Sequence, residues 1–363
     1  MINNKHCTLA IESSCDETSV AIILEGREVL SNIIASQIPI HKAFGGVVPE
    51  IASRHHLENI NDVVDQALEE AGQTAGCPVG FSDVDLIGVT KGPGLVGALL
   101  IGIATAKTYA LALDKPIVGV NHIQGHIAAN LIQTPDLEPP FMALIVSGGH
   151  TCIVRVDDVH KFHVLGETRD DAIGEAYDKV ARVLGLGYPG GPLIDEIAKQ
   201  GNPESVAFKR VYLDRESLDF SFSGIKTGVL NYLHNEKQAG REVGSGLPGA
   251  ASVADVAASF QQAVLDVVVA KTMTAMSGSE LRTLVLAGGV AANSKLRSML
   301  ASACAGTDIR LCVPAPVLCT DNAAMIGCAA YYNQKAGIVD DLTLDAYASL
   351  PLDSFATTRA ETK

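Results

Sequence analysis

The chain has 363 residues, 47% of them hydrophobic and 19% charged, and its 27 basic and 41 acidic side chains leave a formal net charge of −14. This composition excludes a disordered chain and provides for about two domains with a sizeable core. The acidic balance argues against broad non-specific binding to nucleic acid, which needs cations to neutralise phosphates, and a chain without Trp and with 5% aromatics offers no stacking platform.

The polar N-terminus shows no signal-peptide pattern and runs into an apolar strand at 8–11. A polar turn at 12–18 follows, then strands at 19–24 and 29–34 joined by Glu25-Gly26-Arg27. Helical segments include 59–71. A strand at 86–90, the turn Gly92-Pro-Gly94, a helix at 95–113 and a strand at 116–120 complete the first half. That helix carries Thr105, Lys107 and Thr108, so it reads as a buried helix and not as a membrane span.

The second half repeats the rhythm, with strands at 141–146, 152–156 and 162–165, helices, a strand at 284–287, a helix at 293–303 and a strand at 309–313. Each half is a three-strand meander followed by αβαβ. The pattern predicts an α/β protein of two duplicated actin/Hsp70/sugar-kinase-like lobes, with a nucleotide and metal site in the cleft between them. The expected divisions are an N-terminal lobe at 1–130, a C-terminal lobe at 131–335 and a tail at 336–363, with a hinge where Pro135, Pro139 and Pro140 break regular structure. The polar, Gly-rich stretch 235–254 reads as a mobile surface loop, and the last twenty or so residues, acidic and then Thr-rich, are expected to fray. The eight cysteines form no CxxC pair and read as reduced residues of a cytoplasmic chain, most of them small core residues.

Four double glycines stand at 45–46, 148–149, 190–191 and 288–289. A turn approaches a phosphate closely only through small residues and free N–H groups, which Ser147-Gly148-Gly149 supplies. Gly288-Gly289 lies between a strand and a helix, where backbone N–H groups can face a phosphate or ribose.

His122 and His126, four residues apart, share one helical face. Asp321 follows the strand of the second half that corresponds to the one before His122, so the three are expected to bridge the lobes as an open metal site. The bland role for Asp321 is a helix N-cap. Two His and one carboxylate suit Fe(II) or Zn(II) equally well.

The motifs Ile11-Glu-Ser-Ser-Cys-Asp-Glu-Thr18, Gly45-Gly-Val-Val-Pro-Glu-Ile-Ala-Ser-Arg54, Gly92-Pro-Gly-Leu-Val-Gly-Ala-Leu99, His122-Ile-Gln-Gly-His126, Val146-Ser-Gly-Gly-His-Thr151, Tyr188-Pro-Gly-Gly-Pro192, Phe220-Ser-Phe-Ser-Gly-Ile-Lys226, Ala287-Gly-Gly-Val-Ala-Ala-Asn293 and Cys319-Thr-Asp-Asn322, taken in order, resemble the TsaD family. These are the bacterial tRNA adenosine threonylcarbamoyltransferases, once labelled glycoproteases. The resemblance covers about residues 8–330. It implies transfer of threonylcarbamoyl from threonylcarbamoyl-AMP to N6 of adenosine 37 in ANN-decoding tRNAs, with AMP released. By motif position it implies metal ligands His122, His126 and Asp321, with iron as the ion. It implies a donor site of Ile145, Val146, Ser147, Gly148, Gly149, Asp178, Gly191, Asp195 and Asn293. TsaB and TsaE are the implied partners and TsaC the donor supplier. Ser13 stands where bacterial members commonly have Thr, and Gln124 where many have Glu.

The amine N6 must lose a proton on transfer, and Asp16 or Glu17 in the first turn is the candidate acceptor. Lys42, Arg54, Arg215 and Lys226 are candidates for a basic strip. A metalloprotease would want a Glu beside its metal histidines, whereas Ile, Gln and Gly stand between these two. The other rivals are an actin/Hsp70-like kinase or ATPase using ATP in the cleft, and a non-catalytic scaffold subunit.

Overall fold

The computed structural model describes residues 2–214 and 217–352. In chain order the elements begin with β1 (Cys7–Glu12), β2 (Glu17–Leu24), β3 (Glu28–Ser36), α1 (Ile38–His41), α2 (Pro49–Ala75), β4 (Leu86–Gly92), α3 (Val96–Leu113), β5 (Ile117–Asn121) and α4 (His122–Gln133). The second run is β6 (Phe141–Val146), β7 (Thr151–Asp158), β8 (Lys161–Glu167), α5 (Ile173–Val183), α6 (Gly190–Ala198), α7 (Ser223–Gln238), α8 (Val253–Ser277), β9 (Thr283–Ala287), α9 (Ser294–Cys304) and β10 (Arg310–Cys312). Two helices close the chain, α10 (Pro316–Cys319) and α11 (Ala323–Lys335).

The duplication is visible in sheet topology. The first sheet runs β3-β2-β1-β4-β5 and the second β8-β7-β6-β9-β10, the same order built twice. In the first, β1 pairs antiparallel with β2 and parallel with β4, and β4 pairs parallel with β5. In the second, β6 pairs parallel with β9, and β9 with β10. Strands β1 and β6 are buried along their whole length, as central strands covered on both faces must be.

The chain divides into two compact units. Unit 1 holds residues 1–140, 156–163 and 314–363, and unit 2 holds 141–155 and 164–313. The break at Pro140 falls at the end of the proline-marked stretch. The division differs from the expected one at the far end, because residues 314–335 belong to unit 1. Helix α11 packs on β1, β2, β4 and α4. Small residues allow that packing: a Cβ at Gly327 would lie 2.9 Å from Ile23 Cδ1, and one at Gly88 2.7 Å from Ala330 Cβ.

The described part of the tail is also fixed in unit 1. Asp340 N–H donates to Ile117 O (3.0 Å), Gly119 N–H donates to Asp340 Oδ2 (2.8 Å), Tyr347 N–H donates to Lys91 O (2.8 Å), and Leu344 is buried in the core. The expected fraying therefore does not apply to 344–350, and residues 353–363 lie outside the described residues. In the 235–254 stretch, α7 extends to Gln238, turns follow, and α8 starts on a capping box in which Ser252 Oγ accepts from Asp255 N–H (3.0 Å). All eight cysteines are free. Helices Val96–Leu113 and Val253–Ser277 are long and apolar enough to cross a membrane; 67% of the apolar window of the latter is buried within the protein but only 33% of the former's, so the buried reading of the first holds only for one side of it.

Candidate metal centre and donor turn

The histidine pair is placed by a strand–helix junction. β5 ends at Asn121, whose Oδ1 accepts from Ile123 N–H (2.9 Å), and this N-cap starts α4 at His122. One turn later His126 follows on the same face, the ring centroids 4.6 Å apart. Between them Gly125 brings α11 close, since a Cβ there would lie 2.7 Å from Ile326 Cδ1. That close packing sets Asp321, on the segment between α10 and α11, against both rings. Asp321 Oδ1 is 3.4 Å from His122 Nε2 and 3.3 Å from His126 Nε2. One ligand atom from each of the three residues lies within 4.8 Å of the others.

Two features oppose a bland reading. The cap of α11 is Asn322, whose Oδ1 accepts from Met325 N–H (3.1 Å), so Asp321 is not the N-cap. Both ring nitrogens of His126 are buried without a well-directed hydrogen bond, Nδ1 having no partner and Nε2 only the 3.3 Å contact with Asp321, a costly state that a cation at Nε2 would relieve. The cluster thus fits a divalent metal. It belongs wholly to unit 1. Asp321 was expected from the second lobe, and the correction follows from the return of α11 to the first sheet.

Electrostatics agree with a tightly knit cluster. Burial depresses His126, while for His122 the Asp321 and Glu12 carboxylates outweigh burial and hold its pKa well above the usual histidine range. For Asp321, burial is outweighed by the two histidines and the pKa is driven down. Metal uptake at such a site displaces protons.

Sequence reasoning missed Glu12 and Ser14. His122 Nδ1 lies 3.2 Å from Glu12 Oε2 and 3.1 Å from Ser14 Oγ. Glu12 is fully buried, and its oxygens also accept from Ser14 N–H (2.6 Å) and Thr90 Oγ1–H (2.5 Å). The available signal was a Glu closing a strand that is otherwise apolar and buried.

The turn between β1 and β2 carries Asp16, which is buried, and ends at Glu17, whose Oε1 accepts from Ser36 Oγ (3.0 Å). Burial, then the charges of Asp321 and Asp16, push Glu17 up to about 10. His56 clamps this turn: its Nε2–H donates to Cys15 O (2.9 Å), and its Nδ1 accepts from Thr18 Oγ1 (2.7 Å).

Unit 2 holds all the predicted donor residues. Ile145 and Val146 end β6 in full burial, and Ser147 N–H donates to His150 O (2.8 Å) to close the turn. A Cβ added at Gly148 or Gly149 would meet nothing within 4 Å, so the turn faces open space. Gly288 passes directly behind it with φ 91° and ψ 166°. Other members of the set hold the backbone here. Asp178 Oδ1 accepts from Gly190 N–H (2.6 Å), next to Gly191, and Asp195 accepts from Ser294 N–H (2.9 Å) and Oγ (3.1 Å). Asn293 caps α9 through Leu296 N–H (2.9 Å) and donates to Gln261 Oε1 (2.9 Å). Asp195, Gln261 and Ser294 line a pocket of about 320 Å³ with Lys199 and Lys295. Of the basic strip, Lys226 pairs with Asp171 (2.8 Å), Arg54 pairs with Glu50 (3.2 Å), and Arg215 lies outside the described residues.

Residues 28–328 match the family model described as TsaD, tRNA N6-adenosine threonylcarbamoyltransferase. This chain belongs to the TsaD family. A curated TsaD-family relative from Clostridium botulinum (strain Kyoto / Type A2), named tRNA N6-adenosine threonylcarbamoyltransferase, is 56% identical over 95% of this chain and 97% of its own length. Another of the same name from Clostridium beijerinckii is 54% identical over 96% and 99%. Among solved structures, nucleotide-bound HypF shares the fold at TM-score 0.57 and 13% identity, covering 91% of this chain and 46% of HypF. The activator of 2-hydroxyisocaproyl-CoA dehydratase from Clostridium difficile does so at TM-score 0.50 and 14% identity, covering 91% and 96%. The expected actin/Hsp70-like α/β fold and the transferase family are thereby established.

Proposed function

We propose that this chain transfers the threonylcarbamoyl group of threonylcarbamoyl-AMP to N6 of adenosine 37 in ANN-decoding tRNAs, in the cytoplasm. The N6 nitrogen attacks the carbamoyl carbon, the bond from that carbon to the phosphate oxygen breaks, AMP leaves, and the N6 proton passes to a base. The donor is already activated, so the protein mainly positions it and stabilises charge.

In unit 2, the Ser147–Gly149 turn receives the adenylate phosphate, its glycines leaving the room that a Cβ would fill. Asp178 fixes the Gly190-Gly191 turn and Asp195 the start of α9, so both carboxylates shape the pocket that takes the adenosine. In unit 1, His122, His126 and Asp321 would hold the metal, with Fe(II) the assigned ion and Zn(II) the other that this donor set suits. When bound, such a metal would supply Lewis-acid chemistry. Asp16 or Glu17, in the turn after β1, is the assigned proton acceptor.

The buried His126 ring, its Nε2 3.3 Å from Asp321 Oδ1 without a well-directed hydrogen bond, carries this reading of the site. TsaB and TsaE are the proposed partners and TsaC the donor supplier. Incubating the purified chain with these partners, donor and tRNA, followed by nucleoside analysis, tests the function. Absence of N6-threonylcarbamoyladenosine in the complete mixture would refute it.

A further inference from the structure

We propose that Glu12 is a positioning residue that fixes His122 as a metal ligand, holding its ring so that Nδ1 carries the hydrogen and the Nε2 lone pair faces Asp321. This rests on the metal reading given above. A histidine binds a cation through one nitrogen only if the other holds the hydrogen and the ring plane is set. Here Nδ1 of His122 faces Glu12 Oε2 at 3.2 Å, while Nε2 lies 3.4 Å from Asp321 Oδ1 on the opposite edge. Ser14 Oγ, 3.1 Å away, is the only other polar partner recorded at Nδ1 among the described residues. A hydroxyl can donate or accept and so does not by itself choose the ring form, whereas an ionised carboxylate only accepts.

Glu12 is held firmly enough for the task. It ends β1, has no exposed surface, and its two oxygens are fixed by Ser14 N–H (2.6 Å) and Thr90 Oγ1–H (2.5 Å). Three of its four acceptor sites are thus filled, the third by His122. His126 has no such support, since its Nδ1 is buried without a partner. The orientation of the pair therefore depends on one side, and Glu12 is the group that supplies it.

Glu12→Gln tests this with little change of shape. Its amide can donate to Nδ1, which moves the ring hydrogen to Nε2 and blocks the ligand position. Titration of the metal-free chain with Zn(II) against a chromophoric chelator should show a 10–100-fold loss of affinity, while circular dichroism stays that of the wild type. Thr108→Val, on the exposed side of α3 where the hydroxyl donates to Ala104 O (2.8 Å), should stay within about threefold of the wild type. Unchanged affinity in Glu12→Gln, with normal uptake by the wild type, would overturn the positioning role alone. No uptake by the wild type would overturn the metal reading and this proposal with it. If Glu12→Gln fails to fold, nitrogen-15 NMR of the Zn(II)-loaded wild type decides the matter. The proposal requires the hydrogen of His122 on Nδ1, and finding it on Nε2 would refute it.

Discussion

Gly288→Ala is expected to be the most damaging single-methyl change near the donor turn. Gly288 sits at φ 91°, ψ 166°, a region of backbone space open essentially to glycine. Holding alanine there costs about 1–3 kcal/mol. The new methyl would also overlap the carbonyl of Val146, lying 2.8 Å from its carbon and 3.2 Å from Ser147 Cβ. Those atoms belong to the end of β6 and to the turn itself, so relief requires β9 and β6 to part locally. Overpacking of this kind adds about 1–3 kcal/mol. The sum, about 2–6 kcal/mol, corresponds to a fall in melting temperature of roughly 4–24 °C for a unit of this size. Thermal unfolding followed by circular dichroism measures it, with Gly289→Ala beside it as control, since a Cβ there meets nothing within 4 Å. A Gly288→Ala protein that melts within a degree of the wild type would refute the reasoning.

Gly149→Val should leave stability nearly unchanged, because its side chain enters open space, yet weaken adenylate binding at least about tenfold, or about 1.4 kcal/mol; calorimetry with a non-reactive donor analogue checks this. Asp321→Ala should lower bound metal measured by elemental analysis and abolish tRNA modification, while unit 1 stays folded on its core. Asp170 provides a pH test. Burial raises its pKa, but Ser221, Ser223 and two backbone N–H groups outweigh that and hold it below the usual aspartate range. A folded-state pKa below the unfolded value gives stability that is fully present above about pH 4 and is lost as pH falls through the lower value. Denaturant titrations should therefore show Asp170→Asn less stable than the wild type at pH 7, with the gap closing towards pH 3.

The repeated strand order was legible because strand periodicity and turn residues are local properties, and both sheets follow it. The histidine pair was legible for the same reason, since i, i+4 spacing fixes one helical face. Asp321 was recognised as a ligand candidate but placed in the other lobe. Its position depends on Gly88, Gly125 and Gly327 letting α11 settle on the first sheet, and glycines in a sequence do not announce which surface will approach them. Glu12 was hidden because a single strand-end carboxylate has no periodicity, and its role exists only once β5 and α4 bring His122 beside it. The order of 344–350 was missed because short polar segments gain structure here from single contacts such as Tyr347 N–H with Lys91 O, which composition does not foretell.

The return of α11 has a consequence for biosynthesis. The His122 and His126 codons are translated about two hundred residues before that of Asp321, and all of unit 2 emerges from the ribosome in between. Until α11 appears, the face of the first sheet formed by residues such as Ala10, Ile23 and Gly88 has no cover from it. A nascent chain arrested before residue 321 holds two histidines and no carboxylate, so it cannot complete the cluster. Completion of the His-His-Asp cluster is thereby deferred to the end of synthesis, and a prematurely terminated product exposes apolar surface of the kind that makes incomplete chains aggregation-prone.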